Sequence, residues 1–378
     1  MGQYSSAWLQ RSVHRRLQSA FPFITFHYRK PTLLSIIVIS RNQIKTIDIC
    51  LDNILAATKA SGIDRHGYEI VFVDSRSTDG TPERVRRRQD DRIRIVHVTG
   101  HTNAAIARNA GAAVARGDVF FFIDGDMEIG ADFLRQAFDA EGKPIAPVIM
   151  GQLPEKFYDT NWKLLSEGPD RYKADHDHYR TEMGGSAIIR RDVFEEVGGY
   201  RPELRVNEDI DIGLRLSEAG YKTRILPVVM AVHHTIEYFD WSRQGRMLWD
   251  GSMCFPGAVW RRHWKYAGYW PILISHQRPT VVLLLSLLLS VFVSPWWLLL
   301  YLGYIVAKNL RRPGISLLQD LAGTTARSVG FLFGMVFFYP KHIPADRISF
   351  REEPPSAATP KPKQVQAEST PPAKPRAA

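Results

Sequence analysis

Val119-Phe120-Phe121-Phe122-Ile123-Asp124-Gly125-Asp126 decides the fold of this chain. Five consecutive apolar residues, preceded by Gly117-Asp118, have the pattern of a strand buried on both faces. Two carboxylates one residue apart follow directly. At the carboxyl end of a strand in an open α/β sheet they stand where such sheets bind ligands. Hard oxygen ligands of this kind suit a divalent cation that completes its shell with waters and substrate phosphates. Asp and Gly are also ordinary turn residues, so the meaning of the pair depends on what surrounds it.

Outward from this run, strand patterns alternate with helix patterns between Leu33 and about Val232. Residues 34–39, 69–73 and 93–98 read as strands, and 44–60, 81–89, 103–115 and 131–139 as helices. Residues 191–197 and 209–219 read as two further helices, ending at Gly198-Gly199 and Gly220. The alternation predicts an α/β domain with a Rossmann-like, mostly parallel sheet flanked by helices over residues 31–240.

The chain has 378 residues and a net charge of +10. That excess points to an anionic partner. Acidic lipid and a phosphorylated substrate fit better than nucleic acid, which is not expected as a partner because no zinc-finger spacing, RNP-like aromatic motif or long basic helix is present. Two cysteines, Cys50 and Cys254, make no framework and suit a reducing compartment. Residues 1–30 place Trp8, Leu9, Val13, Leu17 and Phe21 on one helical face with basic residues mostly elsewhere, which suits an anionic membrane surface and equally an ordinary helix packed on the domain. A signal peptide is not expected, since Pro22 and His27 interrupt the apolar stretch and no small-residue cleavage site follows. Residues 241–279 form an amphipathic connection, and residues 280–340 a hydrophobic, membrane-associated segment. Within it, Thr280 to Ala307 is long enough to span a bilayer, but basic residues flank both ends. Basic flanks favour the cytoplasmic side, so a re-entrant or shallow hairpin turning at Pro295 is expected, against one kinked crossing. Val329 to Tyr339 reads as interfacial. Residues 351–378 read as a disordered Pro-rich tail.

Several polar residues stand out. Asp74 ends the second strand and opens on the same sheet edge as Asp124. Arg108 sits on an Ala-rich helix just before the Asp124 strand, placed either as a solvated surface residue or facing a diphosphate. Glu208, Asp209 and Asp211 crowd a helix start, where the helix dipole favours them. A carboxylate at that entrance, Asp209, could serve as general base. His233-His234 follows an apolar run; such a pair at a strand end is more often structural, and His233 is the candidate metal ligand of the two.

Taken in order, these motifs resemble the family 2 glycosyltransferases of the GT-A fold. The resemblance runs over roughly residues 33–240 and rests on Leu34 to Asn42, Ile70 to Thr81, Ala107 to Gly111, Phe122 to Asp126, Gly184 to Arg191 and Asn207-Glu208-Asp209. It implies a nucleoside-diphosphate-sugar donor, bound Mg or Mn, and inversion at the anomeric carbon. Ser40, Asp74, Arg76, Arg108, Asp124 and Asp126 would then bind the donor. Asp74 would meet the nucleobase, Asp124 the ribose or metal, and Asp126 the metal on the diphosphate. Asp209 would be the base, with Glu208 beside it. Ser75 stands where many members have a second Asp, and Arg76 replaces a small residue. Gln244 to Trp249 only approximates the Gln-x-x-Arg-Trp motif of processive enzymes. A single transfer to a lipid-linked or surface-glycan acceptor is therefore expected, at the cytoplasmic face of the cell inner membrane, with residues 151–183 nearest the acceptor. A sugar nucleotidyltransferase would need a Gly-rich loop that Ser40-Arg41-Asn42-Gln43 lacks. A non-catalytic sugar-nucleotide-binding scaffold is the other alternative.

Overall fold

Phe120, Phe121 and Phe122 lie at the centre of a nine-stranded sheet. The computed structural model describes residues 34–159, 161–168, 170, 172–236, 241–310 and 316–354, and side chains from 244 onward in the helix that begins at 241. The 1–30 segment and residues 355–378 of the expected tail lie outside them.

The strands are β1 (Leu34–Ser40), β2 (Tyr68–Asp74), β3 (Ile93–Val98), β4 (Val119–Asp124), β5 (Met127–Ile129), β6 (Val148–Gln152), β7 (Glu155–Tyr158), β8 (Leu164–Glu167), β9 (His178–Arg180), β10 (Ala187–Arg190), β11 (Thr223–Val229), β12 (Ala231–Ile236) and β13 (Phe350–Glu352). The large sheet runs β13-β3-β2-β1-β4-β10-β6-β11-β9. Its core is parallel: β1 pairs with β2 and β4, and β2 with β3. Every residue of β1 is buried. This is the two-sided burial that continuous apolar runs announce. The helix Ala104–Val114 covers β1, β2 and β3. Gly111 permits the contact, since a Cβ there would stand 2.4 Å from the Ile37 side chain.

The expectation of a mostly parallel sheet is corrected. Antiparallel β10 separates β4 from β6, β11 runs parallel to β6, and β9 and β13 are antiparallel edges. Apolar runs report burial, not direction; direction follows from crossover helices, and antiparallel neighbours do not require them. A second sheet, β5-β12-β7-β8, grows directly out of Asp126. The tail is also corrected at its start: Arg351 and Glu352 pair with β3 instead of being disordered.

The hydrophobic region folds as two helices joined by a turn. Helices Arg278–Phe292 and Leu298–Asn309 pack together across a turn at Pro295–Trp297. No single helix among the described residues is long and apolar enough to cross a membrane; Ala267–His276 and Arg278–Phe292 pass only as a pair bent by 83°. The stretch expected as interfacial, Val329 to Tyr339, belongs largely to a longer helix, Leu317–Val336. Asp320, Thr324 and Arg327 break its apolar pattern in the sequence. In the structure Asp320 and Thr324 are buried and bond Lys308 Nζ, each at 2.6 Å. This helix packs closely on Phe255–His263: a Cβ on Gly257 would meet Phe331 O at 2.0 Å. A small core of Leu204, Leu214, Phe255, Val259, Tyr269 and Ile272 joins these helices to the α/β domain.

Phe122 packs edge-on against Tyr200 and tilted against Phe194, with centroids 5.4 Å apart in both pairs. Phe122→Ala should lower the unfolding free energy by roughly 3–5 kcal/mol, read from the denaturant midpoint at unchanged slope.

Candidate active site

Parallel register delivers three polar residues to one edge. Ser40 stands beside Asp74, and Ile39 beside Asp124, at the carboxyl ends of β1, β2 and β4. Gly125 brings the chain so close to the loop after β1 that a Cβ there would lie 2.4 Å from Gln43 Oε1. That loop is tied to the loop after β2. Asn42 N donates to Ser77 Oγ at 2.9 Å, Thr78 N to Asn42 Oδ1 at 2.8 Å, and Ile44 N to Asp79 Oδ2 at 3.0 Å. Asp79 is thereby a structural residue that turn chemistry concealed. Arg76 is exposed at φ 63°, a left-handed conformation uncommon outside glycine.

Asp74 is buried and accepts from Ser77 N at 3.2 Å. Burial would raise its pKa, but hydrogen bonds from His97 and Ser77 outweigh that and lower it. Asp124 and Asp126 are partly exposed.

Arg108 differs from the expectation. It is 2% exposed, and its guanidinium is engaged by Glu208 Oε1 at 2.8 Å and Asp124 Oδ1 at 3.0 Å, above the Tyr200 ring. Burial works against its charge, and Asp124 foremost among its neighbours more than restores it. In place of an open diphosphate cradle, Arg108 makes a two-carboxylate bridge between the Asp124 strand and the Asp209 helix. Glu208 is therefore held away from solvent. Burial, then the charge of Asp209, pushes its carboxyl above the usual range despite Arg108. Asp209, one residue on, is partly exposed at the start of the helix Glu208–Glu218. Asn207 precedes it at φ 61°. Asp211 is fully buried; despite desolvation, Arg215, His263 and Arg201 hold it well below the usual carboxylate range. Its bond from His263 Nε2, 3.0 Å, is a tie to the C-terminal helices that no local pattern signals.

Sequence reasoning also missed Glu155. β12 pairs with both β5 and β7, which sets His233 between Asp126 and Glu155. His233 Nε2 lies 3.6 Å from Asp126 Oδ1 and Nδ1 lies 3.2 Å from Glu155 Oε1. Burial disfavours the imidazolium, yet these two carboxylates push its pKa up to about 10.

Among the described residues, no group of three or more His, Cys, Asp or Glu is arranged as a preformed metal cage. The donor set nevertheless fits a cation that takes its remaining ligands from phosphate and water. Ser40 Oγ and Asn207 Oδ1 are buried without a hydrogen bond, and Asp126 Oδ1, also buried, faces His233 Nε2 at 3.6 Å, beyond hydrogen-bond distance. Leaving such atoms unpaired costs about 1–3 kcal/mol each and is expected where a ligand supplies the partner.

Comparison with known proteins agrees with the geometry. The family described as Glycosyl transferase family 2 matches residues 35–198, and that described as Glycosyl transferase family group 2 matches residues 119–308, half of the chain. Glycosyltransferase AglE of Haloferax volcanii is 24% identical over 207 residues, 53% of this chain and 66% of that protein. A pre-mycofactocin glycosyltransferase of Mycobacterium tuberculosis is 26% identical over 177 residues, 44% of this chain and 37% of that protein. The chain thus spans less than two thirds of either relative. A crystal structure of GalNAc-T7 with UDP, GalNAc and Mn2+ is similar at TM-score 0.43 and 17% identity, over 62% of this chain and 53% of that one.

Arg108→Ala would leave Glu208 and Asp124 facing each other without a counter-charge. It should destabilise the fold by about 3–5 kcal/mol, seen as a fall in melting temperature without donor. An Arg108 that served the donor alone would leave that temperature unchanged.

Proposed function

Because the chain belongs to the family 2 glycosyltransferases, we propose that it moves one sugar from a nucleoside-diphosphate sugar to a hydroxyl of a lipid-linked or surface-glycan acceptor, with inversion at the anomeric carbon. The observation that carries this reading is the convergence of Ser40, Asp74 and Asp124 on one sheet edge, with the Asp209 helix bound to that edge through Arg108.

In this reading Asp74 accepts hydrogen bonds from the nucleobase, and Asp124 meets the ribose or the metal. Asp126, with His233 beside it, would hold Mg or Mn, and the bound cation would supply positive charge to offset the negative charge developing on the leaving nucleoside diphosphate. Asp209 takes the proton from the acceptor hydroxyl as its oxygen attacks opposite the departing nucleoside diphosphate. Inversion needs a single displacement, so no covalent nucleophile is required. Glu208 supports Arg108 and leaves proton transfer to Asp209. The strands β7 and β8, with the loop to β9, supply the acceptor side.

The C-terminal helices support attachment to an anionic membrane at the cytoplasmic face of the inner membrane. Leu288, Val291, Phe292, Val293 and Trp296 are all more than half exposed. Residues 241–349 hold 12 Lys and Arg against 3 Asp, a net +9 of the chain's +10. The 15- and 12-residue helices of the hairpin reach about 22 and 18 Å at 1.5 Å per residue. Either is short of the roughly 30 Å hydrocarbon core, which favours shallow entry and return.

Asp209→Asn should lower metal-dependent release of nucleoside diphosphate at least about 100-fold while donor binding persists. Equal inactivity of wild type and variant across many donors and acceptors, with binding retained, would instead identify a scaffold. Wild type should co-sediment with phosphatidylglycerol vesicles in low salt and less so in high salt. Val291→Glu combined with Trp296→Glu should abolish that binding; unchanged co-sedimentation would place the attachment elsewhere.

A further inference from the structure

The chain does not end at its apolar helices. Beyond them, residues 343–354 return to the sheet and close on its β3 edge. Thr99 N donates to Ser349 O and His101 N to Arg347 O, both at 2.8 Å, and β13 then pairs antiparallel with β3. Glu353 N continues the ladder to Ile95 O at 2.9 Å. Ile348 and Phe350 pack with the main core.

The return delivers one carboxylate to the back of the site. Glu353 accepts from Arg86 Nε at 3.0 Å and is in hydrogen-bond contact with His97 Nε2. The other ring nitrogen of His97, Nδ1, faces Asp74 Oδ2 at 3.5 Å. His97 and Asp74 are register neighbours on β3 and β2. A chain of contacts thus runs from Arg86 through Glu353 and His97 to the Asp74 carboxylate. We propose that His97 and Glu353 are positioning residues for nucleobase recognition, holding Asp74 in the orientation that reads the base. This inference rests on the reading of Asp74 as the base contact.

The chemistry of imidazole sharpens it. A neutral ring has one N–H and can donate to only one of two flanking carboxylates; the imidazolium donates to both. His97 has its pKa raised: Asp74 raises it most, burial opposes, and Glu353 adds to the rise. Glu353, bonded by Arg86 and His97, has its pKa lowered to about 2. The further charged groups on this edge are Arg351, the register neighbour of His97 on β13, and the ion pair of Glu352 with Arg94. The raised pKa means the doubly donating ring prevails at low pH and is lost as pH rises through the folded value. Base recognition should weaken over the same interval.

The test measures binding to the full-length protein with Mn2+ present, using UDP, GDP, ADP, CDP and, as a probe without a base, inorganic pyrophosphate. His97→Gln and Glu353→Gln should each weaken the tightest nucleoside diphosphate about tenfold, in line with losing a charge-assisted hydrogen bond. Pyrophosphate affinity should not move. Wild-type affinity for that nucleotide should fall at alkaline pH, and the step should vanish in His97→Gln. Glu352→Gln serves as a control, because Glu352 bonds Arg94 Nε at 2.7 Å on the same strand without touching His97. It should bind nucleotide like wild type. Melting temperatures of all three variants report folding separately. Unchanged nucleotide binding in both His97→Gln and Glu353→Gln overturns the proposal. So does an equal loss of pyrophosphate binding, or an equal effect of Glu352→Gln, since either makes strand docking the cause. If wild type binds no nucleoside diphosphate more tightly than pyrophosphate, the base-contact reading of Asp74 fails, and this inference fails with it.

Discussion

A single buried guanidinium holds the candidate site in register. Arg108 has almost no contact with water, and its charge is balanced by Asp124 from the central strand and Glu208 from the helix that carries Asp209. Buried charges survive only when paired and hydrogen-bonded, so the two elements cannot separate without exposing an unpaired ion. The same bridge assigns the carboxylates on either side of it. Glu208 is consumed by the bridge, Asp209 is left beside the crevice, and Asp211 one turn further turns inward to Arg201, Arg215 and His263. Three acidic residues within four positions therefore have three different duties.

Much of the catalytic half was legible because its physics is local. Val119 to Ile123 could bury both faces only as an interior strand, and its trailing carboxylates had to emerge at a strand end. Asp74 was legible for the same reason. Arg108 was visible as an anomaly on an Ala-rich helix, but whether it faced a ligand or a carboxylate depended on Glu208, 100 residues away. Sequence periodicity carries no information about that pairing. Asp79, Glu155 and His263 were hidden similarly: each looks like turn, strand or surface chemistry until the partner arrives from another element.

The direction of the later strands was illegible on different grounds. β6 and β10 are short, and the chain between them passes through β7, β8 and β9 instead of a crossover helix, so nothing local announced that β10 would run antiparallel to both its neighbours. The longer C-terminal helix was obscured because Asp320 and Thr324 interrupt its hydropathy. Their partner, Lys308, lies on the preceding helix and turns an apparent polar break into an internal contact. A hydropathy profile registers each residue singly and cannot register that cancellation.

The apolar hairpin is bracketed by attachments to the catalytic body on both sides. Before it, His263 bonds Asp211 on the helix Glu208–Glu218; after it, β13 joins the β3 edge of the sheet. A body fastened at one point can swivel, whereas one fastened at two widely separated points has a fixed attitude. With the exposed leucines and tryptophans sunk in lipid, the crevice would stand at a set height and tilt above the headgroups. The enzyme would then act as a gauge, reaching hydroxyls presented at one distance from the bilayer and passing over chemically identical ones that lie nearer or farther.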